Sequence, residues 1–276
     1  MGITYKFAVI ADVHGNYEAL KKSIAILRKR NVDNIFFLGD AIGYGADPEK
    51  CFEVLKKDCV IMLMGNHEAM MIDSDQKMSS LCKESFDWTR KRIGHQMKKE
   101  MENLPFYLKH RQMAFFHAAP DNTLKSWRYL NDTDDIISAF DTYERICFYG
   151  HTHRPRVTVV GDDALDEYIH KTKEYHIDIK KNRCYINPGS IGQQRDDKTD
   201  MSFCVCSLTN DILKVTIERH RYNFLKAYMK IRYMGCGINN ANYMIREKWR
   251  RKLYEGFGNR CGGIYRKICL QGFRRF

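Results

Sequence analysis

The order of elements along the chain predicts an α/β fold in which two sheets pack face to face with helices on the outside. Three observations carry this. The chain opens as strand, loop, helix, strand; short apolar runs bounded by turn formers recur along its length; and helical periodicity is concentrated early, whereas the later half is mostly strands with few helices between them. Strands are predicted over 6–11, 34–38, 60–64, 113–117, 146–149, 157–160, 183–186, 202–207 and 213–219, each rich in β-branched or aromatic residues. Between the first two, Leu20, Ile24 and Leu27 recur at i, i+4 and i+7, which predicts an amphipathic helix over 18–30. Residues 48–57 and 79–102 also read as helical. The sequence contains no internal repeat and no low-complexity segment.

With 276 residues, 44% of them hydrophobic, the chain can bury a sizeable core as one α/β domain with a small appendage. The apolar stretch at 7–11 is too short for a signal peptide and runs at once into polar Asp12, which argues against secretion. Gly2 does not fit N-myristoylation, because Lys6 stands where that pattern wants Ser or Thr. No apolar run is long enough to span a bilayer. The ten cysteines are scattered and none forms C-x-x-C; Cys59, Cys147, Cys204 and Cys206 lie in apolar, strand-like runs. They read as reduced, mostly buried thiols, and the expected location is the cytoplasm. Charge divides the chain: residues 221–276 hold 14 Lys/Arg against 2 Asp/Glu, which accounts for the whole net charge of +12. A neutral body over 1–220 and a basic, partly helical C-terminal extension over 221–276 are therefore the expected units.

The chemistry lies where predicted strands end. Asp12-Val-His14 follows the first, at the carboxyl end where open α/β sheets place ligand-binding residues. Such a triplet is common by chance and by itself means little. The second strand ends in Gly39-Asp40, followed by Gly43 and Gly45, and the third in Gly65-Asn66-His67-Glu68. Three successive strands thus deliver Asp and His, then Asp, then Asn and His, to one rim. His117 ends the run 113–116, and Gly150-His151-Thr-His153-Arg-Pro155 follows 146–149. Two apart in an extended chain, His151 and His153 point to opposite faces. They converge only if the loop turns or if they approach neighbouring metals from either side.

Through these five ordered blocks, D-x-H, G-D, G-N-H-E, a lone His and G-H-x-H, the chain resembles the calcineurin-like metallophosphoesterases over roughly residues 5–220. It is most similar to their small prokaryotic cytoplasmic members, which share the patterns at 12–16, 43–48 and 187–193. The resemblance implies a four-layer αββα sandwich of two mixed sheets and two divalent metals at the strand ends. Carried over by motif, Asp12, His14 and His153 would hold one ion, Asn66, His117 and His151 the other, and Asp40 would bridge them. His67 would be catalytic, contacting the phosphate and protonating the leaving alkoxide, a role suited to a side chain that titrates near neutrality. One departure stands out: His117 is followed by Ala118-Ala119-Pro120 where Gly-Ser-Pro is usual, which puts the shape of that loop in question.

Carboxylates, an amide oxygen and imidazoles form a mixed hard and borderline donor set, suited to Mn²⁺, with Fe or Zn²⁺ as alternatives, and cysteine is absent from every block. Two such ions about 3.5–4 Å apart can share a hydroxide nucleophile and neutralise the attacking and leaving oxygens of an in-line displacement. Arg195 is a candidate phosphate clamp, although beside Asp196 and Asp197 it reads equally as a surface ion pair. Asn16 is a second candidate substrate contact. His95, His110, His170, His176 and His220 match no block and are expected to be surface or structural.

Residues 221–257 resemble the helical tail of the prokaryotic relatives, with Leu225, Met229 and Ile231 on a face that packs back on the body. Beyond them, Arg260, Arg266, Lys267, Arg274 and Arg275 interleave with Phe257, Tyr265, Phe273 and Phe276, a mixture that can grip nucleic acid as well as serve as a solvated tail. The expected function is hydrolysis of a phosphodiester or phosphomonoester, nucleotide-like or small. The alternatives are a protein Ser/Thr phosphatase and a non-catalytic scaffold that keeps the fold. Scaffolds tend to lose ligands or the catalytic histidine, and here every position is present. Substrate, native metal and oligomeric state lie outside what the motifs specify.

Overall fold

The structure is a computed structural model that describes residues 4–73, 80–121, 123, 127–196, 198–237 and 241. The described strands are β1 (Thr4–Ile10), β2 (Asn34–Phe37), β3 (Ile61–Met62), β4 (Tyr107–His110), β5 (Met113–Phe116), β6 (Ile146–Phe148), β7 (Arg156–Gly161), β8 (Leu165–Tyr168), β9 (Lys173–Asp178), β10 (Asn182–Asn187), β11 (Met201–Thr209) and β12 (Ile212–His220). The helices are α1 (Tyr17–Arg30), α2 (Pro48–Asp58), α3 (Asn66–Ile72), α4 (Ser80–Arg90), α5 (His95–Glu102), α6 (Thr133–Phe140) and α7 (Phe224–Tyr233).

Two six-stranded mixed sheets form, in the orders β3-β2-β1-β11-β12-β9 and β4-β5-β6-β10-β7-β8. The period-2 alternation of their strands builds the sandwich. On β1, Tyr5, Phe7 and Val9 point into the core between the sheets, whereas Ala8 and Ile10 point to the helical layer of α1–α5. On β5, Met113 and Phe115 face the inter-sheet core and Ala114 and Phe116 face α6. At the centre Phe148 meets Phe7 edge-on at 5.8 Å and stacks on Phe115 at 5.1 Å. Rings buried on this scale contribute about 1.5–3 kcal/mol each, so this cluster binds sheet to sheet. The expected four layers, two mixed sheets flanked by helices, are what the chain forms.

Several local expectations are corrected. Residues 79–102 do not run as continuous helix, because Lys91–Gly94 separates α4 from α5 and Gly94 lies just before the first residue of α5. At the end of the third strand, Asn66 and His67 open α3. Edge strands β4, β8 and β9 and helix α6 escape the hydrophobic pattern; β9, for instance, buries only Tyr175 and Ile177 among charged neighbours. An edge strand needs only one apolar face and gains protection from charges on the other.

α7 packs back on the body, as expected for the start of the extension. Lys230 bridges Glu18 and Asp47 at 2.8 and 2.6 Å, Ile231 is buried, and Tyr222 just before the helix accepts a hydrogen bond from Asn16. Leu225 and Met229, by contrast, are largely exposed. The aromatic and basic residues at 257–276, together with the nucleic-acid reading placed on them, lie outside the described residues. Among the described residues no helix is long and apolar enough to cross a membrane. The eight described cysteines are free, and all but partly buried Cys59 are buried.

Candidate metal centre

Topology explains why five sequence blocks meet. β1, β2 and β3 are mutually parallel in one sheet, and β5, β6 and β10 in the other, so their carboxyl ends emerge at one rim. The rim loops are then laced together by backbone bonds: Asp12 N–H donates to Gly39 O, His14 N–H to Asp40 O, Gly150 N–H to His117 O and Ile191 N–H to Ala11 O.

Two groups of buried side chains result. Asp12, His14, Asp40 and His153 form one, Asp40, His117 and His151 the other, and within each group the ligand atoms lie within 4.8 Å of one another. Asp40 belongs to both. Its Oδ2 stands 3.5 Å from His14 Nε2 and 3.4 Å from His117 Nε2. Asn66 Oδ1 adds a further oxygen 3.1 Å from His117 Nε2. The imidazoles are oriented from behind: Nδ1 of His14, His117 and His153 lies against the carbonyls of Ile42, Leu38 and Gln193. In a neutral ring such a contact places the proton on Nδ1 and leaves Nε2 a lone pair facing the group.

Backbone geometry answers how His151 and His153 converge. Of nine described non-glycine residues with positive φ, six belong to this rim: Asp12, His14, Asp40, Tyr44, His151 and His153. Each left-handed residue costs about 1–3 kcal/mol, and such conformations persist where surrounding contacts over-determine them. At φ 64° and 58° the segment turns, so His151 joins one group and His153 the other. Glycine provides the closest approaches. A Cβ on Gly65 would sit 2.2 Å from Asp40 Oδ1, and one on Gly43 2.1 Å from His67 Nδ1.

The group is rich in acceptors that find no donor. Asp12 Oδ2, Asp40 Oδ2 and His151 Nε2 are buried with no hydrogen-bond partner, a costly condition that a cation would relieve. Burial pushes the Asp12 carboxyl up to about 7, with Asp40 adding to the rise and His117 opposing it. Burial works the same way on Asp40, but the charges of His117 and His67 overcome it and hold that carboxyl well below its ordinary range. Burial would lower His117, yet the charge of Asp40, 3.4 Å away, and the other nearby carboxylates raise it to about 9. His14, His151 and His153 are held neutral, chiefly by burial. Three neutral imidazoles, His117 and the oxygen acceptors beside them constitute a donor set placed to bind metal.

His67 is buried against Gly43, Tyr44 and His14, and its N–H donates to Asp40 Oδ1 at 2.8 Å. Burial pushes its imidazole down to about 4, below the near-neutral value that its residue type suggests. The two expected substrate contacts fare differently. Asp196, beside Arg195, is held by both Nη groups of Arg219. Arg195 Nη1 donates to Tyr129 Oη at 2.9 Å, and the Tyr129 ring stacks on His151 with centroids 4.0 Å apart. Asn16 is buried. Its Oδ1 caps α1 at Ala19 N–H, and Nδ2 donates to Gly192 O and Tyr222 Oη, so the amide ties loops together behind the rim. Of the unmatched histidines, His95 and His176 are exposed, His110 packs on Tyr5 and Phe36, His220 is bonded to Glu218, and exposed His170 lines a cleft beside the rim.

Sequence reading missed Glu68. Its buried carboxylate accepts backbone N–H groups of Asp40, Ala41 and Gly65 at 2.8–2.9 Å and so clamps two rim loops together. The fourth position of the G-N-H-E block was the available signal. Trp127 and Tyr129, which lie against His117 and His151, had none, since nothing in their local pattern marks them.

The sequence profile of the calcineurin-like phosphoesterase superfamily domain matches residues 5–211. The chain belongs to this superfamily. An uncharacterized protein of Methanocaldococcus jannaschii is 33% identical over 241 residues, covering 81% of this chain and 90% of that protein. A crystal structure of a metallophosphoesterase from Sphaerobacter thermophilus superposes with a TM-score of 0.72 at 25% identity, covering 87% of this chain and 98% of the other. A hypothetical protein from Pyrococcus horikoshii shares the fold with a TM-score of 0.68 at 16% identity, covering 87% and 97%. As a calcineurin-like phosphoesterase domain, the chain thus carries its histidines and aspartates where a metal can be bound.

Proposed function

We propose that the protein is a phosphoester hydrolase with a dinuclear metal centre, acting on a phosphodiester or phosphomonoester of nucleotide-like or small-molecule type. The observation that carries this is Asp40, a buried carboxylate common to two ligand groups with one oxygen lacking any donor. Asp12, His14 and His153 would hold one divalent ion and Asn66, His117 and His151 the second, with Asp40 shared between them; Mn²⁺ is the expected ion, with Fe or Zn²⁺ able to replace it. When bound, the ions supply Lewis acidity, lowering the pKa of an attacking water and neutralising phosphoryl oxygens.

The chain's own residues do the rest. Glu68 and the backbone bonds between loops hold the ligands without reorganisation, which is where electrostatic catalysis gains most. His67 lies next to Asn66 and contributes the proton that the leaving alkoxide takes up. A phosphate dianion bound beside it offsets the burial that otherwise keeps the ring neutral. Arg195, held by Tyr129 at the mouth, presents a guanidinium fork to a phosphoryl oxygen.

The test is to strip the protein with chelator, reload it with Mn²⁺, and assay bis(p-nitrophenyl) phosphate, p-nitrophenyl phosphate and a phosphopeptide while counting bound metal. Turnover of a nitrophenyl ester at two metals per chain is expected. Metal-independent turnover, or a single bound ion at full activity, would reject the dinuclear reading; preference for the phosphopeptide would favour a protein phosphatase.

A further inference from the structure

Beside the ligand groups a cleft of about 230 Å³ opens, lined by Arg154, Arg195, His170, Tyr168, Ile169 and Asp196. Its walls are continuous with the rim. Arg154 follows His153 directly, and Arg195 and Asp196 belong to the turn whose Gln193 carbonyl orients His153. Arg195 reaches from the cleft to Tyr129, which stacks on His151, so the cleft adjoins the ligand groups.

The lining has two chemistries. One wall is cationic: the charge of Asp196 is taken by Arg219, whereas Arg154 has no carboxylate within ion-pair distance among the described residues. Arg154 is exposed, and its Nε donates to Arg195 O at 3.0 Å, which restricts the guanidinium plane. The other wall is apolar, made by buried Ile169, by Pro155 and by Tyr168, which is 39% exposed. A volume below the 300–1,000 Å³ or so of a complete small-molecule pocket suits one part of a substrate.

We propose that this cleft is a subsite for the distal part of a nucleotide, with Arg154 binding a phosphate beyond the one attacked and Tyr168 and Ile169 receiving the base. This rests on the phosphoester hydrolase reading and names its substrate class. A guanidinium fork matches two phosphate oxygens, and a flat apolar wall stacks a base of any identity.

The experiment measures binding in the chelator-treated full chain, where the carboxylates of the metal centre repel phosphate and do not compete for it. Calorimetric titration with ADP, pyrophosphate and adenosine should give binding in the order ADP, pyrophosphate, adenosine. Arg154→Ala should weaken ADP about ten-fold or more, the loss expected for one charge-assisted contact, and Arg154→Lys should fall between. In the Mn²⁺-loaded enzyme, ADP should inhibit p-nitrophenyl phosphate hydrolysis, and Arg154→Ala should raise its inhibition constant by a similar factor. ADP binding unchanged by Arg154→Ala would overturn the subsite, and equal affinity for ADP and pyrophosphate would overturn its assignment to a nucleotide. A chain that binds ADP through Arg154 yet hydrolyses no ester would instead reject the proposed activity and leave the subsite standing.

Discussion

Two regions of this molecule bury charge, and they do so in opposite ways. At the second sheet's outer strands, Arg156 is 4% exposed and every one of its N–H donors is used, on Asp166, Asn131, Thr133 and Tyr168. Asp166 in turn accepts hydrogen bonds from Thr133 and Thr158. At the rim, Asp12 and Asp40 are more deeply buried and each keeps an oxygen with no donor, on backbone held at positive φ. A saturated network stabilises the fold and offers nothing to a ligand. The rim is costly to the empty fold because its groups are arranged for something not supplied by the chain.

If that contrast is right, removing a charge should cost function at one place and stability at the other. The largest effect is expected for Asp40→Ala, which should lower turnover by more than about 100-fold and remove most bound metal, since loss of even a group behind a ligand costs 10–100-fold. Metal analysis beside kinetics checks it, and near-normal turnover would end the bridging assignment. His67→Asn should lower turnover strongly while metal content stays nearly unchanged, with the greater loss for alkyl or nucleoside esters because nitrophenolate leaves with little protonation. An equal loss across leaving groups would make His67 a phosphate-binding group and not an acid.

At the saturated network, Arg156→Met should leave metal content intact and lower stability by about 2 kcal/mol, less than the 3–5 of a fully buried broken pair because Asp166 is 31% exposed. That corresponds to roughly 4–8 °C in melting temperature. A drop in bound metal in this variant would erase the distinction between the regions.

The subtlest expected effect is a difference in the sign of pH dependence. Asp166 is drawn down to about 2, first by its hydrogen bond with Arg156, so its contribution is complete above pH 4 and is lost as pH falls through 2. Asp12 moves the other way, to about 7, so in metal-free protein it destabilises progressively as pH rises from about 4 to 7. Asp12→Asn should therefore raise the melting temperature of chelated protein above pH 7 and not below pH 4, whereas Asp166→Asn should lower it above pH 4 and converge with the unsubstituted chain toward pH 2. Parallel curves for the two variants would show that both regions bury charge alike.

What could be read in advance follows from how local each feature is. Central strands and α1 announce themselves because period-2 and 3.6-residue patterns are written in consecutive residues, as in 6–11 or Leu20, Ile24 and Leu27. The same holds for the residues at strand ends, which keep their blocks of D-x-H, G-N-H-E and G-H-x-H in order. Edge strands such as β9 and the helical start of Asn66 carry no such pattern and are absent from the expected elements, and the break before Gly94 interrupts a stretch expected to be helical throughout.

The sequence by itself determined which residues carry the chemistry, because donor types and their order are properties of the chain. Only the tertiary structure decided what stands around them. Two sets of parallel strands, far apart in sequence, bring Asp40 within reach of both histidine groups; left-handed backbone turns His151 and His153 to adjoining points; and Arg219 holds Asp196 in the turn that lines a cleft together with Arg154. Those outcomes depend on contacts between residues well separated in the chain, where packing and hydrogen-bond competition, and not local pattern, set which partner each group obtains.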